Sequence, residues 1–428
     1  MDSIFAQATA TGRAGVSVIR LSGPQAFDIA RILCKLPAVG RTGLRAVRGR
    51  DGALIDQALV LCFEQGASFT GERVVEFQVH GGLATVAKLL SELSAQEGCR
   101  LAEPGEFTRR ALENGQLDLN QVEALSDLID AETESQRQQA IRVLDGRFGD
   151  AGEMWRGKLL RAAALLEASI DFSDEEIPDD LSVEVISLVE ETRASIAAIL
   201  ERSMMASKIR TGFTVAIIGA PNVGKSTLLN AIVGRQAAIT SDVAGTTRDV
   251  IECRVDLQGL AVSFLDTAGL RESEDEIENL GISKAYEMAA AADVRVFLVE
   301  EVGEPLPIAL RDGDIVRLNK GDERSSEVGT VSGKTGEGVS ELLSLIAERL
   351  MVKTPQDVVA IRERQITGLR AAESFLGRVL ELTQADPLPF ELASQELYFA
   401  LSELDFVFGR IDIESVLDEI FSSFCLGK

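Results

Sequence analysis

Apolar and polar positions change period three times along this chain. In the first hundred residues, short β-type runs are broken by glycine: GVSVIRLSG (Gly15 to Gly23), ALVLCF (Ala58 to Phe63) and RVVEFQVHGG (Arg73 to Gly82), with amphipathic AFDIARILCKL between them. That pattern predicts an α+β domain. From about Asn114, Val122, Leu125 and Ile129 recur at spacings of three and four, as do Leu159, Ala163, Leu166 and Ile170, the stripe of helices packed on one another. Near Thr211 an apolar strand, FTVAIIG, leads through a glycine-rich turn into helix-like STLLNAIVG, and strands and helices alternate to about Leu350. A parallel α/β sheet follows from that alternation. After Lys353-Thr354-Pro355 the helical spacing returns with Leu369, Ala372, Leu376 and Val379. The expected division is therefore 1–115, α+β; 116–209, helical; 210–352, an inserted α/β domain; and 353–428, the rest of the helical domain.

Phosphate chemistry is concentrated in the inserted segment. GAPNVGKS, Gly219 to Ser226, matches G-x-x-x-x-G-K-[ST] between a strand and a helix. The backbone of Asn222, Val223 and Gly224 would curl around a β-phosphate, and Thr227 lies in the first helical turn that follows. Lys225 would neutralise β- and γ-oxygens, and the Ser226 hydroxyl would bind Mg²⁺. DTAG places Asp266 at a strand end for the magnesium shell, then Thr267, Ala268 and the Gly269 N–H for a γ-phosphate. In NKGD, Asn319 and Lys320 precede Asp322, whose carboxylate matches the paired N–H donors of guanine, a pair adenine lacks. SGKTGEG supplies Ser332, Gly333 and Lys334 for main-chain contact to the base, with glycine where an alanine is usual. Between these motifs, TSDVAGTTRD (Thr240 to Asp249) is a loop able to fold over the γ-phosphate. Thr247 is expected to complete the magnesium shell, with Thr246 as its rival. Together the motifs define a Ras-like P-loop GTPase domain. Leu270 follows Gly269 where such enzymes often carry a water-orienting glutamine, so another group must position the water.

Composition narrows the setting. A chain of 428 residues, 46% hydrophobic and 26% charged, can bury several cores, and it has neither a membrane-length apolar run nor a basic-then-apolar leader. A cytoplasmic protein is expected. Five scattered cysteines suggest neither a disulfide framework nor a zinc site, and His80 is the only histidine. A net charge of −25 opposes long-range attraction to phosphate backbones, so nucleic acid must be met by a local basic patch or through a partner. The acidic run Asp171 to Asp180 reads as a solvated loop or helix cap.

GAPNVGKSTLLN, AGTTRD, DTAGLRE, GVSVIRLSG, FTGERVVEFQVHGG, PGEFTRRALENGQLDLNQVEALSDLIDA and terminal FCLGK together resemble the tRNA-uridine modification GTPases of the MnmE (TrmE) family, over essentially the full length. The resemblance implies an N-terminal dimerising domain that binds a 5-formyl- or methylene-tetrahydrofolate, and a G domain inserted into a helical one. It implies a homodimer working with an FAD- and NADH-dependent partner to attach an aminomethyl or carboxymethylaminomethyl group to C5 of the wobble uridine of certain tRNAs. It also implies a potassium ion held by Asn222 and by the loop of Ser241, Asp242, Val243, Ala244, Gly245 and Thr246, with Ser241, Val243 and Thr246 as its loop ligands. By charge alone Glu278 is a solvated helix residue; the resemblance makes it the residue that orients water. The folate site falls on Arg20 and Glu76, with Lys428 nearby and Gln116 where the family often has lysine. An ordinary strand-end ion pair is the alternative for Arg20 and Glu76, and His80 is read as either a folate-site or a turn residue, with the turn preferred. Cys425 is either a thiol near the folate carbon, able to act as nucleophile or proton donor, or a packing residue that presents Lys428; CaaX prenylation is excluded by Gly427 and Lys428. A regulatory or ribosome-assembly GTPase shares the nucleotide motifs but usually carries a basic RNA-binding module.

Overall fold

The computed structural model describes residues 2–171, 180–235, 252–266, 287–319, 329–351, 362–385, 387–411, 421 and 427. The chain divides into two compact units, residues 1–126 with 404–428, and residues 127–403.

The first unit is built on a six-stranded sheet. Strands β1 (Ser3–Gln7), β2 (Ala14–Ser22), β3 (Thr42–Arg48), β4 (Leu54–Phe63), β5 (Val74–Gly81) and β6 (Cys99–Leu101) lie in the order β3-β4-β5-β2-β1-β6. All neighbours are antiparallel except β1 and β6. Strand alternation decides what each face carries. Ile19 and Leu21 of β2 and Val75, Phe77 and Val79 of β5 enter a core with Phe27 and Leu33 of α1 (Ala26–Leu33) and Leu89 and Leu93 of α2 (Leu83–Ser94). Arg20 and Glu76 occupy the intervening positions, directly paired across β2 and β5. The glycine-bounded apolar runs of the sequence are thus β2, β4 and β5. His80 is not in a turn: it is the next-to-last residue of β5, where its N–H and ring Nδ1 both meet Asp56 of β4. Helices α3 (Glu106–Glu113) and α4 (Leu119–Ile129) follow. Phe421 is buried against Val122 and Gly105, with the Arg109 guanidinium 5.0 Å from its ring centre.

In the second unit, α5 (Glu134–Leu144) opens with a capping box in which Thr133 and Gln136 satisfy each other's backbone N–H groups. The long α6 (Arg147–Asp171) and α7 (Asp180–Thr211) pack together, and α7 packs on α10 (Glu363–Leu382). Buried Trp155 of α6 donates to Ser195 of α7 at 3.0 Å, and Arg193 of α7 pairs with Glu373 of α10 at 3.4 Å. Helices from both sides of the α/β segment therefore share one packed layer, followed by α11 (Phe390–Val407). Between them lies a five-stranded sheet of β7 (Phe213–Ile218), β8 (Glu252–Leu257), β9 (Leu260–Asp266), β10 (Val294–Val299) and β11 (Ile315–Leu318), in the order β11-β10-β7-β9-β8. Only β8 is antiparallel to its neighbour; it joins β9 through a hairpin with Gln258 and Gly259 at positive φ. Helices α8 (Lys225–Val233) and α9 (Val339–Met351) bury Leu228, Ile232, Leu342 and Ile346 against the sheet. No helix among the described residues is long and apolar enough to cross a membrane.

Candidate functional site

β7 is the central strand of this mostly parallel sheet, and the loop Gly219–Gly224 leaves its C-terminal end, where such sheets bind ligands. Within the loop Asn222 has φ 63° and Gly224 φ 96°. Alternation of right- and left-handed residues turns successive N–H groups into an anion-binding concavity, and α8 begins immediately after it. Lys225 is 4% exposed, and its Nζ donates to the carbonyls of Gly219 and Ala220 at 2.8 Å each. Ser226 and Thr227 are exposed on the first turn of α8, and Asn222 is exposed in the loop.

Three further expected positions converge on this loop. Asp266 is the last residue of β9, in register with Ile217 near the end of β7. Asn319 follows β11; its N–H donates to Val299 of β10 at 2.9 Å, and its buried side-chain amide donates to the Val223 carbonyl. The Ser332–Lys334 turn lies against α8: Ser332 is buried and accepts from the Thr335 N–H at 3.2 Å, and Lys334 is exposed. A Cβ added to Gly333 would come within 2.6 Å of the Thr227 carbonyl carbon and the Leu228 nitrogen. The glycine that replaces the usual alanine thus permits backbone-to-backbone contact between base loop and P-loop helix. Sequence reasoning missed both this packing and the Asn319 tie, because each joins residues about a hundred positions apart.

Also unforeseen is the ion pair beneath the base motif. Arg295, at the start of β10, meets Asp314, just before β11, through Nε at 2.9 Å and Nη2 at 2.5 Å, with side chains 5% and 3% exposed. Burial alone would raise the Asp314 carboxyl. The Arg295 guanidinium and the Arg311 N–H more than offset that, holding it below the usual carboxylate range.

In the first unit the structure brings Arg20 and Glu76 together at 2.9 Å, both side chains mostly buried. The guanidinium lies 5.5 Å from the Phe69 ring centre and 5.6 Å from that of Phe107. Among the described residues its two Nη groups have no hydrogen-bond partner, so they could meet a ligand carboxylate or an acceptor edge. Gln116 is exposed and lies against Gly71, in the loop that carries Phe69, while Asn114 donates to Thr70 of that loop at 2.7 Å. At the C-terminus, Gly427 has φ 98° and packs on Gln7 and Ala8 at the end of β1, so closely that a Cβ would collide with the Gln7 carbonyl. The expected switch residues Ser241 to Thr247, Thr267 to Gly269, Glu278, Lys320, Asp322, Cys425 and Lys428 lie outside the described residues.

A P-loop on a Ras-like parallel sheet, set between the pieces of a helical domain and preceded by a mixed-sheet domain, defines a multidomain P-loop nucleotide-binding protein. Residues 3–116 match the family model described as GTP-binding protein TrmE N-terminus, and residues 119–425 match that of the MnmE helical domain. Proteins named tRNA modification GTPase MnmE from Ruegeria sp. (strain TM1040) and Ruegeria pomeroyi are 51% and 52% identical to the chain over 430 residues, covering all of it and all of themselves. Among solved structures, the G domain of the T. maritima FeoB iron transporter is 22% identical, with 32% of this chain and 98% of that one covered at a TM-score of 0.23. The chain belongs to the MnmE (TrmE) family of tRNA modification GTPases.

Proposed function

We propose that this protein hydrolyses GTP and, with an FAD-dependent partner, modifies C5 of the wobble uridine in certain tRNAs, adding an aminomethyl or carboxymethylaminomethyl group. The observation that supports the reading is the full-length identity of about half to relatives named tRNA modification GTPase MnmE, joined to a P-loop whose conformation suits a polyphosphate. The protein is taken to be a cytoplasmic homodimer with the four-part division expected from its periodicity: 1–115, 116–209, 210–352 and 353–428.

In this reading Lys225 exchanges its two loop carbonyls for β- and γ-phosphate oxygens, and the N–H groups of Asn222 to Thr227 hold the β-phosphate. Ser226, Thr247 and Asp266 hold Mg²⁺, which spreads the negative charge that develops on the phosphates. Asn222, Ser241, Val243 and Thr246 hold K⁺, a fixed positive charge where other GTPases use an arginine. Asp242, Ala244 and Gly245 complete the loop over the nucleotide, and Thr267, Ala268 and Gly269 contact the γ-phosphate. Asn319, Lys320, Asp322, Ser332, Gly333 and Lys334 hold guanine. Glu278 orients the attacking water, which answers the leucine at position 270. Arg20, Glu76, Gln116 and Lys428 hold the tetrahydrofolate, and Cys425 serves its one-carbon group.

The test is twofold. Digested tRNA from a deletion strain should lack the C5 modification by mass spectrometry and regain it with the wild-type gene. Purified protein should hydrolyse GTP faster in potassium than in sodium chloride of equal strength, and Glu278→Ala should slow hydrolysis with GTP affinity little changed. Intact modification in the deletion strain would defeat the tRNA reading; equal rates in the two salts would defeat only the potassium site.

A further inference from the structure

In a chain of net charge −25, residues Ile29 to Arg50 hold six basic side chains and no acidic one: Arg31, Lys35, Arg41, Arg45, Arg48 and Arg50. The fold gathers them at one sheet edge. Arg31 is in the last turn of α1, Lys35 and Arg41 lie on the connection from α1 to β3, Arg45 and Arg48 are on β3, and Arg50 is in the turn after it. β3 is an outermost strand, paired only with β4. Arg31 is answered by Asp28 at 2.6 Å and Arg50 by Glu92 at 3.6 Å. Lys35, Arg41, Arg45 and Arg48 have no carboxylate within ion-pair distance among the described residues, although the chain holds 68 acidic residues.

Two of these arginines are held in place by neutral groups. Arg45 donates to the carbonyls of Lys35 at 2.7 Å and Leu44 at 2.9 Å, and Arg48 donates to that of Gly52 at 3.0 Å. Such bonds fix a guanidinium without cancelling its charge and leave further N–H donors free. Gly43 is the seat of the Arg45 guanidinium: a Cβ there would come within 2.8 Å of Nη1 and 2.9 Å of Cζ. Charge on an edge strand can serve only to block strand addition. That purpose does not account for Lys35 and Arg41, which lie off the strand. Nor does the edge suit a two-fold contact between copies, because symmetry would bring the same unpaired cations of both copies together.

We propose that this edge binds the sugar–phosphate backbone of the tRNA, through Lys35, Arg41, Arg45 and Arg48. The proposal rests on the tRNA reading above and adds the surface that reading lacks. Backbone contacts position an RNA without reading its sequence, so affinity should depend steeply on salt. Four phosphate contacts correspond to a slope of about −3 in log affinity against log salt concentration.

The experiment uses the full chain and bulk tRNA, with binding followed by fluorescence anisotropy from 50 to 200 mM potassium chloride. The variant Lys35→Gln/Arg41→Gln/Arg45→Gln/Arg48→Gln should bind at least about tenfold more weakly at low salt and lose most of that slope, with GTP hydrolysis unchanged. If it does not fold, Lys35→Gln/Arg41→Gln, which leaves the strand intact, should lose about half the slope. Gly43→Ala, which shifts the Arg45 guanidinium at constant charge, should weaken binding severalfold. Variants that bind tRNA as the wild type does, with the same slope, would overturn the surface while leaving the tRNA reading intact. Loss of binding to the FAD-dependent partner with tRNA binding untouched would overturn it in favour of an acidic protein face. A wild-type protein without affinity for tRNA, alone or with that partner, would overturn the surface, and intact modification in the deletion strain would separately overturn the reading beneath it.

Discussion

The side-chain amide of Asn319 donates to the carbonyl of Val223, which ties the residue after β11 to the phosphate loop after β7. Asn319 is 7% exposed, and Gly224 has no Cβ in the space its amide occupies: one there would come within 2.5 Å of Nδ2. The segment proposed to hold the base and the phosphate loop are thereby kept in one register, and distortion of either is felt by the other.

Asn319→Ala should therefore weaken phosphate binding as well as base binding. The substitution strands a Val223 carbonyl, and a buried group left unpaired costs about 1–3 kcal/mol, or roughly 5- to 150-fold in affinity. Fluorescent GDP titration measures the loss. GDP and inorganic pyrophosphate, the second as a competitor, should both bind more weakly. Unchanged pyrophosphate competition would confine Asn319 to the base side.

Gly333→Ala tests the contact of the base loop with α8. Alanine is the ordinary residue in this motif, so a motif reading expects neutrality. The geometry expects otherwise, because the new methyl meets the rigid backbone of Thr227 and Leu228 rather than a side chain able to swing away. Overpacking of this kind costs about 1–3 kcal/mol, read as a lowered Tm of the nucleotide-free protein and a faster GDP release. A Tm within a degree of wild type would show that the loop relaxes freely.

The difference between those two expectations marks what the sequence could disclose. Elements and their order were legible because burial imposes period: Ile19, Leu21, Val75, Phe77 and Val79 alternate on strands, and Leu369, Ala372, Leu376 and Val379 recur on α10. The P-loop was legible because its residues are consecutive. What stayed hidden depends on approach between distant segments: the Asn319 tie, the seat of Gly333 and the Arg295–Asp314 pair. Phe69 and Phe107 flank Arg20 for the same reason, one from a loop and one from α3, with nothing in their spacing to link them. His80 was misplaced because His-Gly-Gly reads as a turn, whereas the pairing of Gly81 with Ala14 of β2 and the Asp56 carboxylate at His80 extend β5 to Gly81.

Arg20→Lys should separate charge from shape at the proposed folate site. Lysine keeps the positive charge beside Glu76 but loses the planar fork and its contacts with Phe69 and Phe107. A partly buried cation–π contact is worth about 0.5–2 kcal/mol, so affinity for 5-formyltetrahydrofolate should fall by up to about 30-fold, measured by titration calorimetry. Tm should change little. Full affinity in the lysine variant would leave only the ordinary ion-pair role for Arg20.

Asp314 supplies the pH prediction. Its carboxyl is held below the ordinary value by Arg295 and the Arg311 N–H against the opposing effect of burial, so the native state favours the ionised form. A depressed native pKa contributes stability that is fully present above the unfolded value of about 4 and is lost as pH falls through the native value. Wild-type stability should therefore decline below about pH 4 partly through this group, whereas Asp314→Asn should lack that share of the decline. At pH 7 the asparagine variant should be the less stable by about 3–5 kcal/mol, because Arg295 keeps its charge while 5% exposed and without its carboxylate. Denaturant unfolding at a series of pH values measures both, and the gap between the two proteins should narrow on acidification. Because Asp314 and Arg295 brace β10 and β11, which lead into the Asn319 segment, the variant should also bind GDP more weakly at neutral pH. Parallel stability curves from pH 3 to pH 7 would mean that the Asp314 charge contributes nothing to holding β10 and β11.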